Sequence, residues 1–435
     1  MLQKELGVIN ATLDDGIRII LEYPDYYTGL WKFLNSLNNS NVVKNYVMWT
    51  YIQSLVEAEG TPLHDLYLTY KLNATNMARS SSRNQVAASC IKQLLKPDKM
   101  LSAGASLYIK HSFNKYDRNN VQKMMYFIKA SFGKIIAENK WMSDSTKTKA
   151  AERLAKMETV IGYPDWMLEN LVVNELYKFV PLLSENSSFA EHMFWIQENH
   201  RYQELLKLRP QYKETEFSAV AFFSHPYYIE RSDTLVLPAA VVVPHYRRPP
   251  APRALNFGTV GALASMLIVN VIDRFDTIRI TDDKVRFGGK IVIKDSWDED
   301  TKRRFCKYSG CLKNEVCKDY EKYVDTQGEA HFSDYVGLRA SFMALKDSVG
   351  NYTRPYLLPG GNFNTEDKIF FLSFGNLFCP FGITKAFPTS RSDDPLKSQR
   401  TRSYRGRLNN AVNGYYGFQK AFKCQATADV CNLFP

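Results

Sequence analysis

Residues 255–276 read LNFGTVGALASMLIVNVIDRFD, and this is the longest apolar run in the chain. It carries no charged residue between Leu255 and Asp273. A helix drawn through residues 260–272 is apolar on nearly every face, which is typical of a helix buried on all sides. The run is too short to cross a membrane, which takes about 18 to 20 apolar residues. It therefore predicts the central helix of a folded domain and no membrane span.

The composition of the chain is that of a folded globular protein. Of its 435 residues, 45% are hydrophobic and 13% aromatic, and the length allows two or three domains with a large core. The net charge of +11 favours weak attraction to acidic surfaces such as glycans. No nucleic-acid-binding motif accompanies this charge, so we expect no nucleic acid partner.

Seven cysteines and five N-x-S/T sequons bear on the cellular compartment in which the protein functions. No cysteine pair forms CxxC, and no histidine pair completes a zinc finger. The sequons, which favour a secreted glycoprotein, are at Asn10, Asn38, Asn73, Asn186 and Asn351. The opening residues, MLQKELGVINATL, contain no apolar signal-peptide core. Either the true amino terminus lies upstream, or the sequons are not used.

Helical periodicity dominates residues 1–208. Helices are expected at residues 24–37, 42–59, 121–137 and 147–157. Asp144 or Ser145 is the expected cap of the last of these helices, and the Gly-Tyr-Pro at 162–164 is its expected stop.

The second half of the chain opens differently. Residues 208–215 form a polar link, and residues 234–243 beyond it are rich in Val and Leu. Pro238 interrupts this run and cannot donate a hydrogen bond to a neighbouring strand. The pattern predicts an edge strand over 234–243.

Three motifs in a fixed order carry a resemblance to a known family. The first is LNFG at 255–258, followed by Gly261 and an apolar helix that ends at Asp273. The second, at 141–164, is a Trp-Met pair, a capped Thr-Lys helix and then IGYP. The third is LLPGGNFNTEDKIFFLSFGNLFC at 357–379. The side chains of this motif expected to face the core are Ile369, Phe370, Phe374 and Phe378. Together the motifs resemble the neprilysin-like zinc metallopeptidases, the family of neprilysin and endothelin-converting enzyme.

The resemblance implies a mainly α, two-domain ectodomain on the extracellular side or at the cell surface. Residues 1–208 would form the family's helical second domain. Residues 216–435 would form a carboxyl-terminal peptidase domain of zincin type, with a small β element at 234–243. The family's amino-terminal segment and membrane anchor are expected to lie outside this chain.

The resemblance also places the family's HExxH motif on the apolar helix. Its two zinc-binding histidines fall on Met266 and Asn270, and its glutamate, the general base, falls on Leu267. HExxH works because histidines at i and i+4 close on one Zn²⁺ while the glutamate takes a proton from the metal-bound water. A thioether suits Cu(I) better than Zn²⁺, and leucine offers no base. All three positions are degenerate, and no cofactor is expected although the family binds zinc.

A second helix should supply the third zinc ligand. The stretch GEAHFSDYVGL at 328–338 resembles the family's Gly-Glu-x-x-x-Asp-x-x-Gly-Leu. Aligned on Asp334, which in the family is the partner of that glutamate outside the zinc coordination sphere, and on Gly337-Leu338, the ligand position is Ala330. A slip of one residue would offer Glu329 instead, but it breaks the spacing of four to Asp334. We therefore expect this ligand to be lost as well.

The remaining positions of the family's site also depart from its pattern. The Asn-Ala pair that holds substrate backbone falls on Val220 and Ala221, so its amide is lost. The transition-state histidine falls on Lys397, and the substrate-binding arginine falls on Ser403 next to Arg402. This Arg-rich loop is a solvated basic surface or a patch for an acidic glycan or another acidic partner.

The family's disulfides imply a pairing of Cys311 with Cys431. Cys379 and Cys424 would pair with cysteines of the family's amino-terminal segment, and so would be unpaired here. Two function classes follow from the resemblance. The first is a catalytically inactive homologue that binds a peptide or protein. The second is an active zinc endopeptidase that cleaves extracellular peptides. The replaced ligands and base favour the pseudo-peptidase.

Overall fold

The computed structural model describes residues 7, 23–37, 40–56, 66–67, 69–70, 91, 94–113, 115–207, 222, 225–229, 233–246, 251–272, 275–276, 294–295, 297–308, 328–348, 365–379 and 404–424. In chain order the helices are α1 (Pro24–Ser36), α2 (Ser40–Val56), α3 (Leu101–Ser112), α4 (Lys115–Glu138), α5 (Asp144–Lys156), α6 (Asn170–Glu175), α7 (Phe189–Leu206), α8 (Ala239–Tyr246), α9 (Arg253–Asn256), α10 (Ala262–Ile268), α11 (Glu299–Tyr308), α12 (Gly328–Asp347), α13 (Glu366–Asn376), α14 (Tyr404–Val412) and α15 (Tyr416–Phe422). The strands are β1 (Glu158–Gly162), β2 (Tyr227–Ile229), β3 (Thr234–Pro238), β4 (Phe275–Asp276) and β5 (Lys294–Asp295). The predominance of helix confirms the mainly α fold.

The chain divides into two compact units. The first combines Met1–Tyr108 with Asp165–Ala219, and the second combines Ile109–Pro164 with Val220–Pro435. Ile109–Pro164 belongs to the second unit because α4 packs on α12 and α8, and β1 pairs with β3. As family domains, the boundaries 1–208 and 216–435 stay a prediction, and the link at 208–215 lies outside the described residues.

The sheet of the second unit corrects the predicted edge strand. The strand order is β1-β3-β2, so β3 is central, and all five of its residues are buried. It pairs in parallel with β1 and antiparallel with β2. The prediction over 234–243 is also too long, because the chain turns at Pro238 and residues 239–246 form α8. Pro238 is tolerated as the last residue of the strand, where a missing donor costs least.

The predicted helices are largely present, and a capping side chain determines where one of them begins. Helices α1, α2 and α4 confirm three of them within a few residues. Helix α5 begins at Asp144, but its cap is Ser143, whose hydroxyl accepts a hydrogen bond from the Thr146 amide at 3.2 Å. The prediction of Asp144 or Ser145 as the cap was therefore wrong. The Gly-Tyr-Pro at 162–164 ends β1, a strand that the sequence reading missed.

The apolar stretch forms a helical segment of mixed type. After α9, Phe257–Gly261 is a turn of π-helix, followed by α10 and a 3₁₀ turn at Val269–Val271. The nineteen residues Arg253–Val271 are long and apolar enough to cross a membrane, but 72% of the segment is buried inside the protein. Its length alone therefore does not exclude a span, contrary to the prediction, and its burial is that of a core helix.

The third motif confirms its predicted core side chains. Ile369, Phe370, Phe374 and Phe378 are all buried. Helix α13, which carries them, begins at a Thr365 hydroxyl that accepts from the Lys368 amide at 3.3 Å. Arg253 then fixes α13 to α9 with two bonds to the Glu366 carboxylate, at 2.5 and 3.1 Å.

Candidate vestigial metal site

Two contacting helices of the second unit carry the HExxH-like positions and the Glu-x-x-x-Asp-like positions. Helix α12 packs along the π turn and α10. The Ser341 hydroxyl donates to the Phe257 carbonyl at 2.6 Å. At the other end, a Cβ placed on Gly337 would lie 2.7 Å from the backbone nitrogen of Met266. Residue numbers rise along one helix as they fall along the other, so the two are antiparallel.

Gly337 is required where the two backbones touch. A Cβ at this position would also meet Cα and Cγ of Met266, both at 2.8 Å, and real Cβ atoms essentially never approach so closely. The glycine therefore allows α12 to lie directly against Met266, the residue at the first HExxH-like position. Asp334 lies about one helical turn from Gly337, toward the end of the segment that carries Asn270.

The helix is not buried on all sides, contrary to the prediction. Four residues in the range 260–272 are half-buried, and the other residues of this range are buried. The four are Leu263, Met266, Leu267 and Asn270, at spacings of three, one and three, which place them on one face. We call this face the half-buried stripe. It contains all three HExxH-like positions.

The donor atoms of the stripe do not fit zinc. Zn²⁺ in proteins is held by thiolate, imidazole and carboxylate groups. The stripe instead offers the thioether of Met266, the neutral amide of Asn270 and the hydrocarbon of Leu267. Within the described ranges, no three His, Cys, Asp or Glu side chains converge as they would around a metal.

Asp334 is engaged by an arginine that the sequence reading did not single out. Its carboxylate, fully buried, accepts from Nε of Arg407 at 2.7 Å and from Nη2 at 2.6 Å. The Arg407 side chain is 32% exposed, and its guanidinium lies 5.3 Å from the ring centre of Phe378. Burial raises the pKa of Asp334 above its usual value, and the charge and hydrogen bonds of Arg407 oppose that shift.

A second arginine stabilises the same helix from inside. Arg339 is buried, and its guanidinium lies 3.2 Å from the ring centre of Tyr335 and 4.3 Å from that of Tyr415. It donates to the carbonyls of Tyr335 and Ala411, the latter on α14. Burial lowers the pKa of Arg339 to about 10, so the group is cationic at neutral pH. Helices α12 and α14 are thus joined by both Arg339 and Arg407.

Several predicted positions cannot be placed. Ala330 and Glu329 belong to the first turn of α12, but their side chains lie outside the described residues. The other predicted positions outside the described residues are Val220, Ala221, Lys397, Arg402, Ser403, Cys311, Cys431, Asn10, Asn38, Asn73 and Asn351. Asn186 is described and exposed in a turn. Cys379 and Cys424 are free and exposed.

An antiparallel pair of core helices, with the HExxH-like positions on one and the Asp334 position on the other, is the arrangement that a resemblance to the zinc metallopeptidases implies. Two profiles, both described as Peptidase family M13, match residues 3–164 and 225–432. The chain belongs to peptidase family M13.

Relatives in the family are distant in sequence and longer. Neprilysin-2 of Caenorhabditis elegans is 23% identical over 433 residues, covering 95% of this chain and 54% of its own length. Membrane metallo-endopeptidase-like 1 of Mus musculus is 22% identical, covering 97% and 54%. The chain therefore spans about half the length of these relatives.

Solved structures share the fold. The zinc metalloprotease ZMP1 of Mycobacterium tuberculosis in its open state superposes with a TM-score of 0.62 at 19% identity, covering 95% of this chain and 61% of that one. A partial open state of zinc metalloprotease 1 from the same organism gives a TM-score of 0.64, also at 19% identity. These likenesses support the mainly α architecture.

Proposed function

We propose that this chain is a catalytically inactive member of peptidase family M13, a pseudo-peptidase that binds a peptide or protein ligand. The observation that carries the proposal is the half-buried stripe, where Met266, Leu267 and Asn270 stand at the three HExxH-like positions. Loss of a positioned general base alone removes about 10²–10⁴ in rate. Loss of the metal removes the activated water altogether.

The same stripe supports a binding role. Leu263, Met266 and Leu267 present partly exposed hydrocarbon on a helix that is otherwise buried. Such a surface favours an apolar side chain of a ligand, because contact removes apolar area from water at about 25 cal/mol per Å². The proposed location is extracellular or at the cell surface. The net charge of +11 makes an acidic glycan a second proposed partner.

The alternative is an active zinc endopeptidase that cleaves extracellular peptides. Family membership is the observation that favours it. It requires a metal ligand set other than Met266 and Asn270 and a base other than Leu267.

Metal content and peptide cleavage distinguish the two functions. The purified chain is incubated with equimolar zinc, desalted and measured by inductively coupled plasma mass spectrometry. Cleavage of short peptides with a hydrophobic residue after the scissile bond is then followed with and without a chelator. We expect zinc far below one atom per chain and no cleavage. About one zinc per chain together with chelator-sensitive cleavage would establish the active peptidase instead.

Binding is tested with the same protein and a matched pair of variants. Fluorescent peptides rich in Leu and Phe are titrated and followed by anisotropy. Leu267→Glu places a charge in the half-buried stripe and should weaken binding at least about tenfold, since it opposes apolar contact. Leu372→Glu, at a 48% exposed position on α13, is the control and should leave binding unchanged. Equal binding by both variants would remove the stripe as the ligand site.

A further inference from the structure

The Asp334 carboxylate is the one acidic group of the family's site that this chain retains within the described side chains. It is fully buried on α12. The resemblance places this carboxylate in the outer sphere of a cation, the zinc ion. Here neither Met266 nor Asn270 offers an imidazole, and a buried carboxylate without a cationic partner is costly.

Arg407 supplies the missing positive charge from within the chain. Its guanidinium makes two parallel bonds to Asp334, at 2.6 and 2.7 Å, which is the strongest geometry for an Arg–carboxylate pair. The stem of Arg407 belongs to α14, so the pair ties α14 to α12. The guanidinium also lies 5.3 Å from the ring centre of Phe378, a residue just after α13, and this contact helps to hold the guanidinium in place.

The helix that carries Asp334 contacts the helix that carries the HExxH-like positions. Gly337 touches Met266, and Ser341 bonds Phe257 in the antiparallel arrangement. Asp334 lies about one turn from Gly337 along α12, and α12 also contacts the 3₁₀ turn that contains Asn270. The buried charge and the half-buried stripe thus belong to one region of the second unit.

We propose that the cation this site requires is built into the chain as the Arg407 guanidinium, which takes the place of a metal ion in neutralising Asp334 and joining the helices around it. The inference deepens the proposed loss of catalysis, on which it rests. It makes the Asp334–Arg407 pair a replacement for the metal site. The folded state should then be indifferent to zinc and chelators and should depend on Arg407.

A double-mutant cycle tests the pair. Arg407→Met removes the cation but keeps an apolar stem, and leaves Asp334 buried without its partner. The midpoint of thermal unfolding of the second unit should fall by roughly 6–15 °C, as expected for breaking a buried ion pair. Asp334→Asn combined with Arg407→Met should recover at least half of that loss, because no buried charge then remains. Arg303→Met, which breaks an exposed pair with Asp300, is the matched control and should shift the midpoint by less than about 2 °C.

Zinc titration adds a readout that a purely structural pair would not give. A variant with Met266→His and Asn270→His gains two helical ligands at i and i+4. Its zinc affinity, measured by competition with a chromophoric chelator, should rise at least about tenfold when Arg407→Met is added, because Asp334 is then released to the new histidine.

The outcomes separate this inference from the proposed function. Equal zinc affinity with and without Arg407 would overturn it, and so would an Arg407→Met effect no larger than that of Arg303→Met. If Arg407→Met does not fold, the combined Asp334→Asn and Arg407→Met variant still decides, since a failure to rescue contradicts the pairing. Zinc and cleavage in the unmutated chain would instead defeat the proposed loss of catalysis, whatever the cycle shows.

Discussion

The two faces of the helical segment from Ala262 to Ile272 differ in burial and in the residues they carry. One face, with Ala262, Ala264 and Ile268, is fully buried and packs against the core of the second unit. The other is the half-buried stripe, where Met266 and Leu267 stand at HExxH-like positions. The buried face carries residues suited to close helix packing, whereas the stripe carries no imidazole and no carboxylate.

The difference shows that packing and catalysis constrain separate residues of one helix. Close packing requires small and branched apolar side chains in fixed places, as a core of native density does. Catalysis required imidazoles and a carboxylate on the opposite face. The first set is present on this helix without the second, so the packing of the helix does not depend on imidazoles or a carboxylate at the HExxH-like positions.

The largest expected effect is on the free energy of unfolding, when truncation of a residue on the buried face is compared with truncation of a residue on the half-buried face. Ile268→Ala should lower the free energy of unfolding by about 2–5 kcal/mol, because the side chain is fully buried and leaves a cavity. Leu267→Ala, the neighbouring half-buried position, should cost about 1 kcal/mol or less. Urea unfolding followed by tryptophan fluorescence measures both. Equal losses would show that the stripe is part of the packed core.

A smaller effect is expected where the helices touch. Gly337→Ala adds a Cβ that would lie 2.7–2.8 Å from Met266, including its backbone, and should destabilise the second unit by about 1–3 kcal/mol. Gly375→Ala on α13 meets, among the described residues, only Leu408 at 3.7 Å and should be neutral or stabilising by up to about 1 kcal/mol. The same urea experiment serves for both variants. A Gly337→Ala variant as stable as Gly375→Ala would contradict the close approach.

The smallest effect concerns a buried hydroxyl behind the stripe. Ser265 is fully buried, and its Oγ has no hydrogen-bond partner among the residues that the structure describes. Ser265→Ala removes an unsatisfied polar atom, so stability should stay the same or rise by up to about 1 kcal/mol. Thermal unfolding is precise enough to measure this change. A clear loss would reveal a partner for Ser265 in the folded protein.

Sequence alone was sufficient for much of the helical framework, whereas the degenerate positions stay a prediction. Periodicity placed α4 because its apolar residues recur every three or four positions, and its Val121 and Ile128 are fully buried. Motif order was sufficient to place Met266 on a helix that packs against the helix of Asp334. Both features follow from the spacing and order of residues along the chain.

What the sequence could not give depends on contacts between distant elements. Strand β1 follows a helix directly and is recognisable as a strand only from its pairing with β3. Arg407 stands in an Arg-rich stretch, and nothing in its neighbours distinguishes it from the arginines around it. Its role follows from Asp334, 73 residues away in sequence. The half-buried stripe likewise reflects which neighbours cover α10, and an apolar sequence looks the same on a covered and an uncovered face.

The parallel pairing of β1 with β3 determines when the sheet can form while the chain is being synthesised. Glu158 finds its partner in Thr234, and between these strands the chain passes through Asp165–Ala219, which belongs to the first unit. A nascent chain that has just completed β1 holds a strand with no partner until β3 has emerged from the ribosome. Long-range parallel pairing of this kind is slow to form and leaves strand edges open in the meantime. The second unit should therefore acquire its sheet late, after the intervening part of the first unit has been made.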